Sequence, residues 1–63
     1  MEKLLIKYLK EKFKHDYVDL AYHNVDGAIC KIKYYTDESH HYHESANINI
    51  WDMLVFLNEN INQ

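Results

Sequence analysis

The sequence predicts an α+β fold of order α-β-β-β-α, in which two helices cover one face of a three-stranded antiparallel sheet. Three observations favour it: an amphipathic run near the start, alternating apolar runs around an Asp-Gly pair, and a capped apolar run near the end. A chain of 63 residues buries one small core, so we expect a single domain over residues 1–63. One glycine and no proline favour regular elements with short connections.

Residues 2–14 predict an amphipathic helix. At about 100° per residue, the apolar side chains of this segment form one stripe, made by Leu4, Leu5, Ile6, Tyr8, Leu9 and Phe13. Lysines gather on the opposite side, at Lys3, Lys7, Lys10 and Lys14. We therefore expect the apolar stripe to pack on the sheet and the lysines to face solvent.

Residues 17–22 predict the first strand. Successive side chains of a strand point to opposite faces, so Val18, Leu20 and Tyr22 are expected to share the face toward the core. The pair Asp26-Gly27 then predicts a hairpin, because glycine adopts positive φ without steric cost.

The second strand is predicted over residues 28–35. Its two faces differ in polarity, since Lys31 and Lys33 alternate with Cys30 and Ile32. The lysines mark the solvent face, and the apolar set is expected to lie on the core.

Residues 40–46 are expected to return as a third, antiparallel strand, because the preceding polar turn is too short for a crossover connection. Residues 50–61 predict the second helix. Asn49 is placed to cap it, and Ile48 can pack on Met53 as a hydrophobic staple. The apolar face of this helix is expected to carry Ile50, Leu54, Leu57 and Ile61.

Cysteine usage and hydropathy indicate the compartment. Cys30 is the only cysteine, so no internal disulfide can form and a secreted disulfide scaffold is excluded. The apolar run near the start is too short for a signal-peptide core, and no run approaches the roughly 18 apolar residues of a membrane span. We expect a cytoplasmic protein.

Catalysis and cofactor binding are not indicated by any recognisable spacing of ionisable groups. The weak metal candidates are His40, His41 and His43, of which His41 and His43 would share a strand face. A zinc site needs three or four protein ligands, and a polar edge strand explains these histidines as well. Cys30 lies on the apolar side of its strand, where a thiol is inert. We expect no enzyme activity, no cofactor and no metal.

Charge divides unevenly along the chain. Residues 1–33 carry all seven lysines and a net charge of +2, whereas residues 34–63 carry five acids, no lysine and a net charge of −5. An anionic half attracts a basic partner surface, and aromatic side chains beside acids are typical of protein interfaces. The residues expected to bind a partner protein are Tyr35, Asp37, Glu38, Tyr42, Glu44, Trp51 and Phe56.

In size, element order and charge, the chain resembles small phage and mobile-element proteins that inhibit host machinery, such as anti-CRISPR proteins. The resemblance implies a non-catalytic inhibitor that occupies a surface of a larger host protein, for example one that processes nucleic acid. It also implies that Asp37, Glu38 and Glu44 stand in for phosphates, with Tyr35 and Tyr42 packing beside them.

Two other functions remain open. The first is a homo-oligomeric interaction module, such as a homodimer, that pairs its sheet edges or its open sheet face. The second is a nucleic-acid binder that uses Lys3, Lys7, Lys10 and Lys14. The element order is similar to that of double-stranded RNA-binding domains, but residues 47–52 lack the cations with which that family binds phosphate at its second helix.

Overall fold

The computed structural model describes residues 1–61 and has the predicted order of elements. The three strands form one antiparallel sheet in the order β1-β2-β3, which confirms the α+β fold. The elements are α1 (Glu2–Phe13), β1 (Asp19–Asp26), β2 (Ile29–Tyr35), β3 (His43–Asn49) and α2 (Ile50–Ile61).

The core lies between the helices and one face of the sheet. In β2 the buried residues alternate with exposed Lys31 and Lys33, as the sequence predicts. The other sheet face is therefore open to solvent. The buried core residues are Leu5, Tyr8, Leu9, Val18, Cys30, Ile32, Tyr34, Ile48, Met53 and Leu57.

Helix α1 matches its prediction closely and ends one residue earlier than expected. Lys14 terminates it in a left-handed conformation, with φ 58° and ψ 41°. Leu5 and Leu9 are fully buried, whereas Leu4 and Phe13 stay 41% and 48% exposed. The expected stripe is thus wider than the surface that the sheet and α2 cover.

The predicted hairpin between β1 and β2 is confirmed. Asp26 pairs with Ile29, so the loop consists of Gly27 and Ala28 alone. Gly27 has φ 63°, and a positive φ at the first loop position is the pattern of a type II′ turn, which matches the twist of the flanking strands.

A β-bulge at Ala21 overturns the expected facing of Tyr22. Leu20 pairs with Tyr34, but Tyr22 pairs with Lys33, so Ala21 is the extra residue. A bulge shifts the alternation by one position. Leu20 therefore packs against the core, while Tyr22 turns to the open face and is 52% exposed. The bounds 17–22 were also wrong, since β1 runs from Asp19 to Asp26.

Strand β3 lies three residues later than the predicted 40–46. Its register places Ile48 opposite Cys30 and Ala46 opposite Ile32, so both side chains reach the helix-covered face. His40 cannot belong to the strand, because its φ is 56°. The short polar turn predicted an antiparallel return but not its start, which the burial of Ile48 opposite Cys30 sets.

Helix α2 begins where the cap predicts. The backbone N–H of Asp52 donates to the Asn49 side-chain oxygen at 3.1 Å, which confirms the N-cap. The N–H of Ile50 donates to the carbonyl of Ala28 at 2.8 Å and ties the start of the helix to the hairpin loop.

The buried face of α2 matches the prediction at Ile50 and Leu57, but Met53 takes the place expected for Leu54. Met53 and Leu57 are in the core, with Ile50 and Phe56 packed against it, but Leu54 is 40% exposed. Helical spacing alone allowed either face, because apolar residues surround most of this helix. The predicted contribution of the Ile61 side chain lies outside the described residues.

Candidate partner-binding surfaces

An acidic and aromatic cluster lies at the end of the sheet where β1 begins and β2 ends. Asp19 and Tyr35 pair across the two strands there, and the loop between β2 and β3 folds back beside them. We call this cluster the acidic corner; it comprises Tyr17, Asp19, Tyr35, Asp37, Glu38 and His40.

His40 is the centre of the acidic corner. Its ring stacks on Tyr35, with 4.2 Å between centroids and 8° between planes. Its Nε2 lies 2.9 Å from Oδ2 of Asp19 and 3.3 Å from the hydroxyl of Tyr17. One side chain from the β2–β3 loop therefore spans β2 and fastens the loop to β1 and the residues before it.

Local hydrogen bonds shape the loop itself. The N–H of His40 donates to the Asp37 carbonyl at 3.3 Å. The Ser39 hydroxyl donates to the Asp37 carboxylate and lies 2.8 Å from Nδ1 of His41. The turn thus holds the carboxylates of Asp37 and Glu38 at an exposed position beside the stacked rings.

Electrostatics in the acidic corner favour a cationic ligand. Partial desolvation raises the pKa of Tyr17, and the carboxylates of Asp19, Glu38 and Asp37 raise it further. The phenol therefore stays protonated in neutral solution. Within residues 1–61, Glu38 has no ion-pair partner.

Three of the seven predicted partner-binding residues, Tyr35, Asp37 and Glu38, meet in the acidic corner. Tyr42 ends the same loop and is 82% exposed. Glu44 pairs with Tyr34 and so lies on the helix-covered side of the sheet. Burial raises the pKa of Tyr34, and the charge of Glu44 adds to that shift.

Trp51 and Phe56 are separate from the acidic corner. Strand β3 is about 20 Å long at roughly 3.3 Å per residue, and the acidic corner lies near its first residue, His43. Trp51 lies just beyond its other end, in the first turn of α2. Phe56 packs between the helices, edge-on to Tyr8 at 5.4 Å, with Nζ of Lys12 5.2 Å from its ring centroid. The predicted interface residues therefore occupy more than one surface.

The histidines considered as metal ligands do not converge. His40 contacts Asp19, while His41 lies in the loop beside Ser39. The prediction that His41 and His43 share a strand face is wrong, because β3 begins only at His43. No group of three or more His, Cys, Asp or Glu among residues 1–61 is placed to hold a metal ion.

Cys30 and the lysines of α1 occupy the surroundings that the sequence predicts. Cys30 is fully buried, and burial raises the pKa of its thiol, although a hydrogen bond from the Asn24 backbone lowers it in part. Four lysines of the α1 region are all exposed, namely Lys3, Lys7, Lys10 and Lys14.

The open sheet face carries a shallow groove of about 210 Å³. The groove is lined on one side by Tyr22, Lys31 and Lys33 and on the other by Ser45 and Asn47 of β3. The bulge at Ala21 creates this groove by turning Tyr22 toward the lysines, a feature that strict alternation did not reveal.

The sequence did not predict that three residues would lie in contact, namely Tyr17, Asp19 and His40. Tyr17 and Asp19 were predicted on the first strand, and His40 was predicted to begin the third strand and considered as a metal ligand. Their proximity depends on the sheet register and on the left-handed backbone of His40. No local pattern in the sequence signals either feature.

These features define the chain as a small α+β domain with an open three-stranded sheet. Comparison with protein-family models, with curated proteins and with solved structures found no match. In the described part of the chain, neither twelve-residue helix has the length and apolarity needed to cross a bilayer.

Proposed function

We propose that the chain is a non-catalytic protein-binding module that presents the acidic corner to a basic surface of a larger protein. The supporting observation is the fastening of the β2–β3 loop by His40, which keeps Asp37 and Glu38 exposed and positioned. Ordered carboxylates bind a cationic surface with less entropic cost than mobile ones.

The proposed target is a host protein that binds nucleic acid, and the chain acts as its phage- or mobile-element-encoded inhibitor. Surfaces that bind phosphates are rich in lysine and arginine, and carboxylates can occupy the same cationic positions. Tyr42 ends the loop and is 82% exposed, so its ring adds contact area at low entropic cost, while Tyr35 at the base of the loop is half-buried under His40.

Quantitative affinity capture from cells, read by mass spectrometry, tests this proposal. The bait is the wild-type chain or the double variant Asp37→Asn with Glu38→Gln, which keeps side-chain size and removes both exposed charges of the loop. We expect a nucleic-acid-binding protein to be captured by the wild type and lost with the double variant. Added DNA or RNA should displace the captured protein from the wild type.

The matched control is Glu2→Gln with Glu11→Gln, which removes two exposed charges from α1 instead. This control should capture the same protein as the wild type. Equal capture by all three baits, or capture that nucleic acid does not reduce, would contradict the proposed role of the acidic corner.

A further inference from the structure

We propose that the chain forms a two-fold symmetric homodimer through its helical layer, with α1 of each copy packed on α2 of the other. The interface does not include the acidic corner, so the dimer and the proposed inhibitor function can fail independently. The first observation is that α2 is apolar on its solvent side. Trp51 is 69%, Val55 is 55% and Leu54 is 40% exposed.

The exposed apolar side of α2 is an ordered surface on a helix that is already anchored. Met53 and Leu57 bury the opposite side, so Trp51 and Val55, one helical turn apart, have no remaining place in the core. A helix that is apolar on both sides is typical of one covered on both sides.

The charges on α2 define the chemistry of the surface that covers it. Asp52 and Glu59 are exposed on this helix, and residues 50–60 contain no lysine. The complementary surface should therefore combine aliphatic area with cations.

The same chain carries such a surface on α1. Lys3, Lys7, Lys10 and Lys14 lie opposite the buried Leu5 and Leu9, and Glu11 is the one acid at the margin of this lysine face. Lysine side chains pack their methylene stems on apolar surface while their ammonium groups reach outward. An ammonium can also lie over the face of an indole ring.

The geometry points to a second copy of this chain as the occupant. Both helices lie on one face of the sheet and meet where Phe56 packs on Tyr8. A two-fold axis that runs between the two helical layers brings α1 of each copy onto α2 of the other at two equivalent contacts, which closes the assembly. The lysine stems then cover Trp51 and Val55, and the ammonium groups approach Asp52 and Glu59. A chain of this length also gains most from added burial.

Sedimentation equilibrium of charge-reversed variants tests the dimer. Variant A is Asp52→Lys with Glu59→Lys, and variant B is Lys7→Glu with Lys10→Glu. Each variant alone places like charges across both contacts and should be monomeric. An equimolar mixture restores opposite charges at both contacts and should form a heterodimer, which also shows that both variants are folded.

The wild type should dimerise, and Trp51→Ser with Val55→Ser should weaken the dimer at least about tenfold. Tyr35→Ser with Tyr42→Ser removes two aromatic side chains from the sheet end and should leave the dimer unchanged. A wild type that stays monomeric to millimolar concentration, whatever else its helices bind, overturns the proposal. So does a mixture of A and B that stays monomeric, or a dimer that survives in A or B alone.

Discussion

The imidazole of His40 lies 2.9 Å from the carboxylate of Asp19, and this contact joins the β2–β3 loop to the first residue of β1. Both side chains are partly exposed, at 40% and 47%, so solvent screens the pair and its contribution to stability is at most about 1 kcal/mol. Its larger effect is on geometry, because it fixes where Asp37 and Glu38 project.

His40→Asn should lower the thermal midpoint by about 4–8 °C. Asparagine tolerates the left-handed backbone at this position, so the change removes the ring without adding strain. Loss of the exposed contact with Asp19 and of the stack on Tyr35 costs about 1 kcal/mol in total, or roughly 4–8 °C for a domain of this size. Circular dichroism melting measures the shift.

His43→Ala is the control for this prediction, because His43 is exposed and lies on β3 outside the loop. It should melt within about 2 °C of the wild type. A His40→Asn midpoint that matches that of His43→Ala would show that the stack on Tyr35 and the contact with Asp19 contribute nothing to stability.

Met53→Ala and Leu54→Ala should differ strongly although they are neighbours on α2. Met53 is fully buried, and truncating such a side chain costs about 2–4 kcal/mol. Leu54 is 40% exposed, and its truncation should cost less than about 1 kcal/mol. Urea denaturation with a common m-value compares the two free energies of unfolding. If the two variants lose equal free energy of unfolding, or Leu54→Ala loses more, then Leu54 lies on the buried face of α2, as helical spacing first suggested.

The Cys30 thiol should react with an aromatic disulfide reagent only after the chain opens. It is fully buried, and burial raises its pKa above 9.0, so both access and thiolate content are low. We expect native labelling to be slower than labelling in urea by on the order of a thousandfold, if opening costs about 4–5 kcal/mol. Rapid labelling of the native chain would place Cys30 at an accessible position.

Tyr17 should ionise above its ordinary pKa of 10.0. A raised pKa in the folded state means that the folded chain holds the proton more tightly than the unfolded chain. The associated stability is therefore present below pH 10 and is lost as the pH rises through the folded-state pKa. Ultraviolet titration of tyrosinate should show a late-ionising group that disappears in Tyr17→Phe. If Tyr17→Phe instead removes a group that ionises early, then nearby carboxylates do not raise the pKa of Tyr17.

Tyr34 provides the internal reference for that titration, because burial and Glu44 also raise its pKa. Its late ionisation should persist in Tyr17→Phe. The variant Glu38→Gln removes one negative charge and should therefore lower the pKa of Tyr17. The pKa of Tyr34 should stay unchanged, because Glu38 does not contribute to it.

The elements with local causes were predictable from the sequence. The stripe of α1 follows from 3.6-residue periodicity, the hairpin from the positive φ of Gly27, and the start of α2 from the Asn49 cap. Each cause acts within a few residues of its effect. Lys31 and Lys33 likewise identified the solvent face of β2, because a charge avoids burial whatever the partner strands do.

The features with non-local causes were decided only by the tertiary structure. The bulge at Ala21 and the late start of β3 depend on which side chains meet across strands, and the buried face of α2 depends on what the sheet leaves to cover. The acidic corner depends on the strand register and on the late start of β3, since His40 lies in the loop and reaches Asp19 only where the ends of β1 and β2 pair. Several local arrangements of these segments are nearly equal in free energy, and contacts between residues distant in the chain select one of them. For that reason the sequence by itself determined the helices and strands, whereas packing determined which surfaces they form.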